Sequence, residues 1–237
     1  MRFLIAFVLS SAALGSMAEE AVAPSTKGEE PSRFAESQQA AARFERIARA
    51  GVEKILSHVL DVPVKVDDVK LDAENEALRL INLRVANPER FQEADAFSFS
   101  EVEVAADLKS LFSREPEIRV VKAKGVTINS ELSALAGGSN LKDLFDNATR
   151  FKPQKRGILG RQNLRTKWRI QKGVLENLVL NMSTTLFETK TVQKKVDDME
   201  VHFSTPDGTG LTADKAVAQF LQQLMNELNI GLPALPF

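Results

Sequence analysis

Along Pro63–Asp72, Val64 and Val66 point to one side of an extended chain, and Val69 and Leu71 to the other. Along Ala77–Asn87, Leu78 and Leu80 are followed by Leu83 and Val85. Along Ala94–Leu108, Phe97 and Phe99 are followed by Val102, Val104, Ala106 and Leu108. Side chains of a strand alternate faces with period two, so each change of phase requires an extra residue or a bend. The pattern predicts strands carrying repeated bulges, and therefore a curved sheet with an apolar inside.

The flanking segments have the other period. Ala41, Phe44, Ala48, Val52, Ile55 and Val59 recur at i+3/i+4 on one face of a helix that Ser32 caps and Pro63 ends. Glu117–Ser130 returns to strand spacing, with Ile118, Val120, Val126 and Ile128. Gly137-Gly138 breaks it, and Ser139 caps a short helix, Asn140–Ala148, with Leu141, Leu144 and Phe145 on its apolar side. A basic, irregular loop follows over Thr149–Gln162. Leu164–Ser183 places Leu164, Trp168, Ile170, Val174, Leu178, Leu180 and Met182 at even positions, opposite Arg165, Lys167, Arg169 and Gln171. It reads as two strands, or as one long strand kinked at Gly173. Thr191–Thr205 adds a strand with its own phase change, and Pro206-Asp207-Gly208 a turn. In the last helix Thr212 is the cap, Asp214 suits the positive end of the dipole, and Ala213, Val217, Phe220, Leu221, Leu224 and Leu228 form the stripe.

Composition narrows the class. The 237 residues are 43% hydrophobic and 27% charged, in the globular range, and a net charge of −1 gives no bulk attraction to polyanions. Met1–Ala18 has the form of a secretory signal: Arg2, then the apolar run Phe3–Leu14, then Ser16-Met17-Ala18 as a cleavage site at about Ala18. The expected organisation is therefore a signal peptide (1–18), an acidic linker (19–31), one domain (32–228) and a C-terminal tail (229–237). The expected location after cleavage is periplasmic or envelope-associated. With no cysteine, the exported domain has neither disulfides nor thiolate metal sites and depends on its core.

The residues offer no catalytic constellation. The two histidines, His58 and His202, are far apart and lack a patterned carboxylate, and Asp67-Asp68 and Asp197-Asp198 fit turns or bulges better than a calcium loop. No nucleophile elbow, P-loop, zinc-protease or dinucleotide fingerprint occurs. No enzyme activity, metal or cofactor is expected. Between Asp146 and Glu176 the chain has no acid but carries Arg161, Arg165, Lys167, Arg169 and Lys172 among its cations. That is a solvated strand face plus loop, or a patch for anionic head groups or an acidic partner. Nucleic acid is not expected, because interleaved aromatics are absent. The acidic stretch Glu93, Asp95, Glu101, Glu103 and Asp107 is a candidate to neutralise the patch. Trp168, Ile170, Val174, Leu178 and Leu180 are candidate lining for an apolar groove, or core beneath the helices.

In order along the chain come Leu60-Asp61-Val62-Pro63-Val64, Leu83-Arg84-Val85-Ala86-Asn87-Pro88-Glu89-Arg90-Phe91, Val102–Phe112, Lys124-Gly125-Val126-Thr127-Ile128 and Ser139-Asn140-Leu141. Their order and spacing resemble the opening module of AsmA-like envelope proteins, over roughly Phe44–Leu144. Trp168–Leu180 fits that family's next strand pair. The resemblance implies an all-antiparallel, taco-shaped β-groove lined with apolar side chains, and a role in lipid handling and outer-membrane biogenesis. The expectation is an α+β protein, with a curved, bulged antiparallel sheet and an amphipathic helix at each end. It would bind or organise lipid. Alternatively, it would dock on a larger envelope protein by a sheet edge or the basic patch. Seven or eight strands ~4.8 Å apart make a groove of about 35 Å, comparable to the ~30 Å apolar thickness of one bilayer. That length shelters an acyl chain but does not bridge two membranes.

Overall fold

A computed structural model describes residues 30–72, 75–106, 110, 116–134, 137–151, 167–185 and 189–230. The signal segment, nearly all of the linker, Arg161, Arg165 and the tail beyond Ile230 lie outside them. The fold is α+β. Helix α1 (Glu30–Leu60) precedes strands β1 (Val64–Asp72), β2 (Ala77–Ala86), β3 (Asp95–Ala106) and β4 (Glu117–Ser133). After the short β5 (Gly138–Ser139) come α2 (Asn140–Arg150), β6 (Arg169–Thr185), β7 (Thr189–Val196), β8 (Met199–Val201) and α3 (Ala213–Glu227). The sheet is curved and unclosed, in the order β1-β2-β3-β4-β6-β7, with β5 on β4 and β8 on β6.

One pairing departs from the all-antiparallel expectation. β4 and β6 run parallel, from Glu117↔Arg169 to Ser133↔Thr185. A parallel pair needs a crossover, and the chain between these strands contains α2. β6 is unbroken from Arg169 to Thr185, so the long alternating segment is one strand.

The phase changes have a common origin, and it is a bend rather than a series of extra residues. Buried positions are separated by two outward ones at Val66/Val69, Leu80/Leu83, Phe99/Val102, Ala123/Val126 and Leu175/Leu178. The register does not slip there. Val66↔Leu83 and Asp68↔Ile81 have the same offset, as do Leu83↔Phe99 and Ile81↔Glu101, Phe99↔Val126 and Glu101↔Lys124, and Lys124↔Glu176 and Val126↔Leu178. A straight crease therefore crosses the sheet through Asp67, Asn82, Ser100, Gly125 and Asn177. Asn82 (φ 51°), Gly125 (φ 59°) and Asn177 (φ 55°) are left-handed, a conformation that Gly and Asn tolerate best. At Gly125 a Cβ would lie 2.4 Å from Ser100 Oγ, so the glycine is also needed for space. True register shifts occur only toward strand ends, at Val85/Ala86 and Ala105/Ala106.

One apolar cluster joins the inner face of the sheet to the helices. It includes Phe44 and Val52 of α1, Leu141 and Leu144 of α2, and Leu221 and Leu224 of α3. Ser139 stands at the N-cap of α2 with extended backbone but makes no side-chain cap bond; Asn140 Oδ1 accepts the Leu141 N–H instead, at 2.9 Å. The same fully buried amide donates to Asn87 Oδ1 and to the Asn129 carbonyl, both at 2.7 Å, clamping the β2–β3 loop onto β4. Buried Glu131 accepts the Gln92 N–H (2.8 Å) from that loop. Thr212 likewise caps α3 by position, without a side-chain bond.

Candidate functional site: the filled groove and the open edge

The groove is occupied by the protein's own helices. α3 lies over the inner face, with Phe220 6.2 Å from Phe97, ring centre to ring centre. What remains is an apolar hollow of about 180 Å³ between the sheet and the helices. Ile170 and Val174 line it, together with Phe97, Phe99, Leu56 of α1 and Leu221 of α3. The other three residues expected to line a groove are elsewhere. Trp168 and Leu178 are buried core, and Leu180 forms the floor of a separate crevice at the end of α3. Trp168 is held by backbone bonds to Leu211 (2.8 and 2.7 Å), an approach that only glycine at 210 allows, because a Cβ there would lie 2.6 Å from the Trp168 carbonyl carbon.

The basic patch is not a continuous unpaired surface. Lys167 donates to Thr209 Oγ1 at 2.9 Å, and Lys172 pairs with Glu200 at 2.5 Å, where it holds the Glu200 carboxyl below its usual range. Arg169 is also engaged. Of the five acids expected to neutralise the patch, Asp107 lies outside the described residues and two serve other cations: Glu101 pairs with Lys124 (3.0 Å) and Glu103 with Arg79 (3.2 Å). With Lys122–Glu176 (2.6 Å) and Arg84–Asp67 (2.7 Å), they lace the outer face with cross-strand ion pairs. Hydrogen bonds from Asn82 and Arg84 lower the Asp67 carboxyl, and Glu176 raises the Lys122 ammonium. Asp198 accepts the Asn177 N–H (2.9 Å) and extends the crease to the last strand. His58 meets Phe151 edge-on, and His202 is exposed.

The sheet edges are treated unequally. A strand at an edge presents unpaired N–H and C=O groups to any extended chain. On β1 these groups meet one row of α1 side chains at four-residue spacing. Ser57 Oγ accepts the Val64 N–H (2.8 Å) and Glu53 the Val66 N–H (2.9 Å). Arg49 donates to the Asp67 carbonyl (3.1 Å), and Glu45 accepts the Leu71 N–H (3.4 Å). On the opposite edge β8 and β7 share β6, β8 beside Gly173–Leu175 and β7 beside Leu178–Thr185. The chain leaving β8 is covered by α3. Gln223 accepts the His202 N–H (2.9 Å) and donates to the His202 carbonyl (2.6 Å); Gln219 does the same for Ser204 (3.2 and 2.5 Å). A glutamine amide carries one acceptor and two donors, so each stands in for a neighbouring strand.

β7 has no such cover among the described residues. Its only strand partner among the described residues is β6, from Leu178↔Val196 to Thr185↔Thr189. Val192 is 57% exposed, the most exposed large apolar side chain among the described residues. Below β7 a crevice of about 600 Å³ opens at the C-terminal end of α3, lined half by apolar residues (Leu180, Met182, Val196, Met199 and Leu228) and half by polar ones, among them Lys194 and Lys195 but also Asp197, Asp198, Glu200 and Glu227. Sequence reasoning passed over the edge-covering residues because each is an ordinary polar helix position. The available signal was the four-residue repeat Glu45-Arg49-Glu53-Ser57, and Gln219-Gln223, beside an apolar stripe.

No protein-family model matches the chain, and no curated protein matches it. Among the described residues no helix is long and apolar enough to cross a membrane.

Proposed function

We propose that this chain is a non-enzymatic, exported envelope protein of the AsmA-like type that works as a docking module. Its open β7 edge receives an extended segment of a larger partner. One observation carries this reading: α1 and α3 hydrogen-bond the β1 edge and the chain leaving β8, while among the described residues no element covers the outer edge of β7. Pairing a strand to a sheet edge is an established mode of recognition, with affinity from the main chain and specificity from alternate side chains.

The volume of the hollow weighs against a resident lipid. About 180 Å³ falls short of the roughly 300–1,000 Å³ typical of ligand pockets. An acyl chain would have to displace α3, whose Leu221 and Leu224 are buried in the common core.

The test is site-specific photo-crosslinking in intact cells, with the reactive residue at Gln193 on β7 or at Lys65 on β1. Edge docking predicts a discrete crosslinked species from Gln193 and none from Lys65. Equal labelling from both strands, or none from Gln193, would sink it. Native mass spectrometry of the same preparation should give the bare protein mass; a lipid-sized addition would restore the lipid reading.

A further inference from the structure

We infer that the segment received by β7 is acidic and alternates apolar with charged side chains, an inference that rests on edge docking as proposed above. β7 reads Thr-Lys-Thr-Val-Gln-Lys-Lys-Val over 189–196, with three lysines and no acid. Lys194 and Lys195 are exposed and make no ion pair with any described residue. On β2, β4 and β6 the reverse holds, since Arg79, Lys122, Lys124 and Lys172 each pair with a carboxylate; Lys65 and Lys70 of β1 make no ion pair with a described residue either, but that edge is covered by α1. Lys194 and Lys195 are therefore cations without an ion pair on the sheet edge that no helix covers among the described residues.

The same lysines argue against a second copy as the occupant. Pairing β7 with its own copy brings together two strands that carry lysines and no acid, and the net like charge disfavours the ladder. A strand carrying Glu or Asp meets the opposite condition.

The apolar half of the pattern follows from the two faces of β7. Directly paired residues share a face, so Val192 lies with Met182, Lys194 with Leu180 and Val196 with Leu178, on the inner side. Thr191, Gln193 and Lys195 face outward with Ser183, Asn181 and Val179. An added strand thus meets Val192, Val196 and the apolar side of the crevice with one set of alternate residues. With the other set it meets an outer face where Lys195 is the charge. On the inner side Lys194 shares the crevice with Asp197, Asp198, Glu200 and Glu227, so the acidic positions of the partner belong on the outer face, opposite Lys195.

The experiment uses labelled octapeptides and the whole mature chain. One alternates valine and glutamate, one valine and lysine, and one serine and glutamate. Binding is read by fluorescence anisotropy, and its place by amide hydrogen exchange. The valine–glutamate peptide should bind at least tenfold more tightly than either control, weaken with salt, and protect amides of β7. The double variant Lys194→Glu/Lys195→Glu should invert the preference toward the valine–lysine peptide, a gain that unfolding cannot produce.

Equal affinity for the valine–lysine peptide, or no inversion in the double variant, overturns the acidic partner but leaves edge docking standing if β7 is still protected. Equal binding of the serine–glutamate peptide overturns the apolar face. Protection by no peptide, or away from β7, removes edge docking and the inference together. A homodimer with β7 already protected would name a second copy as the occupant and overturn the inference.

Discussion

At single residues, the crease is a conformational demand that a strand normally never makes. Asn177 sits in β6 between two half-sheets, left-handed at φ 55°, its N–H bonded to Asp198 Oδ1 at 2.9 Å and its side chain exposed. In an ordinary strand, valine is preferred over glycine by up to about 1 kcal/mol. In the left-handed region the order reverses, because Cβ collides with the following carbonyl at a cost of roughly 1–2 kcal/mol. Asn177→Gly is therefore expected to be more stable than Asn177→Val by about 1–2 kcal/mol in urea unfolding. A valine variant as stable as the glycine variant would mean that β6 runs straight. The phase changes themselves were plain in the sequence at Val66/Val69, Leu80/Leu83 and Phe99/Val102. Their reading as separate bulges came from taking strands one at a time. A bend without an extra residue differs from a bulge only in the cross-strand register, which one strand's sequence does not contain.

Among the elements, α1 and α3 each have two jobs: an apolar stripe that fills the groove and a polar row that closes a sheet edge. The stripes were legible because period 3.6 is a property of the helix alone; both long helices and the short α2 fall where the apolar spacing sets them, although Ser32, expected as the cap of α1, lies inside the helix, which already includes Glu30. The polar rows were not, since a row of Glu, Arg, Ser or Gln looks like any solvated face until the strand beside it is known. For the same reason Ile170 and Val174 could not be told from Trp168 and Leu178 as lining or core, and the parallel β4–β6 pair was read as antiparallel. The glutamine row gives a sharp test. Gln223→Glu keeps an acceptor for the His202 N–H but loses the donor to the His202 carbonyl. It should cost about 1 kcal/mol at pH 7, the net worth of one hydrogen bond. Protonating the introduced carboxyl restores a donor, so the deficit relative to wild type should shrink as pH falls through about 4.3. A deficit that is the same at pH 7 and pH 4 would mean that the amide donor does not hold the strand.

For the whole molecule, the question is whether the groove is a container or a scaffold, and size decides it. A dry apolar cavity of about 150 Å³ is known to admit benzene or xenon. The hollow here, about 180 Å³ and lined by Phe97, Phe99, Val121 and Ala216 among others, is of similar size and as apolar, but opens to solvent past half-buried Val121, Val174 and Phe220. Benzene is thus expected to bind and to raise Tm. Since about 1 kcal/mol corresponds to roughly 2–4 °C for a chain of this size, saturation should shift Tm by a few degrees. Ala123→Val adds two carbons to the wall of the hollow, on a strand that favours branched side chains. It should leave stability equal or higher and shrink the benzene shift. A long-chain fatty acid should do nothing at matched concentration, because seating it means lifting Leu221 and Leu224 out of the core, a loss of several kcal/mol by analogy with large-to-small core substitutions. If the fatty acid binds, competes with benzene and is blocked by Ala123→Val, then α3 is a lid and the groove a container. If only benzene binds, the inner face serves stability alone, and whatever the protein recognises must meet it at the surface, where β7 is open.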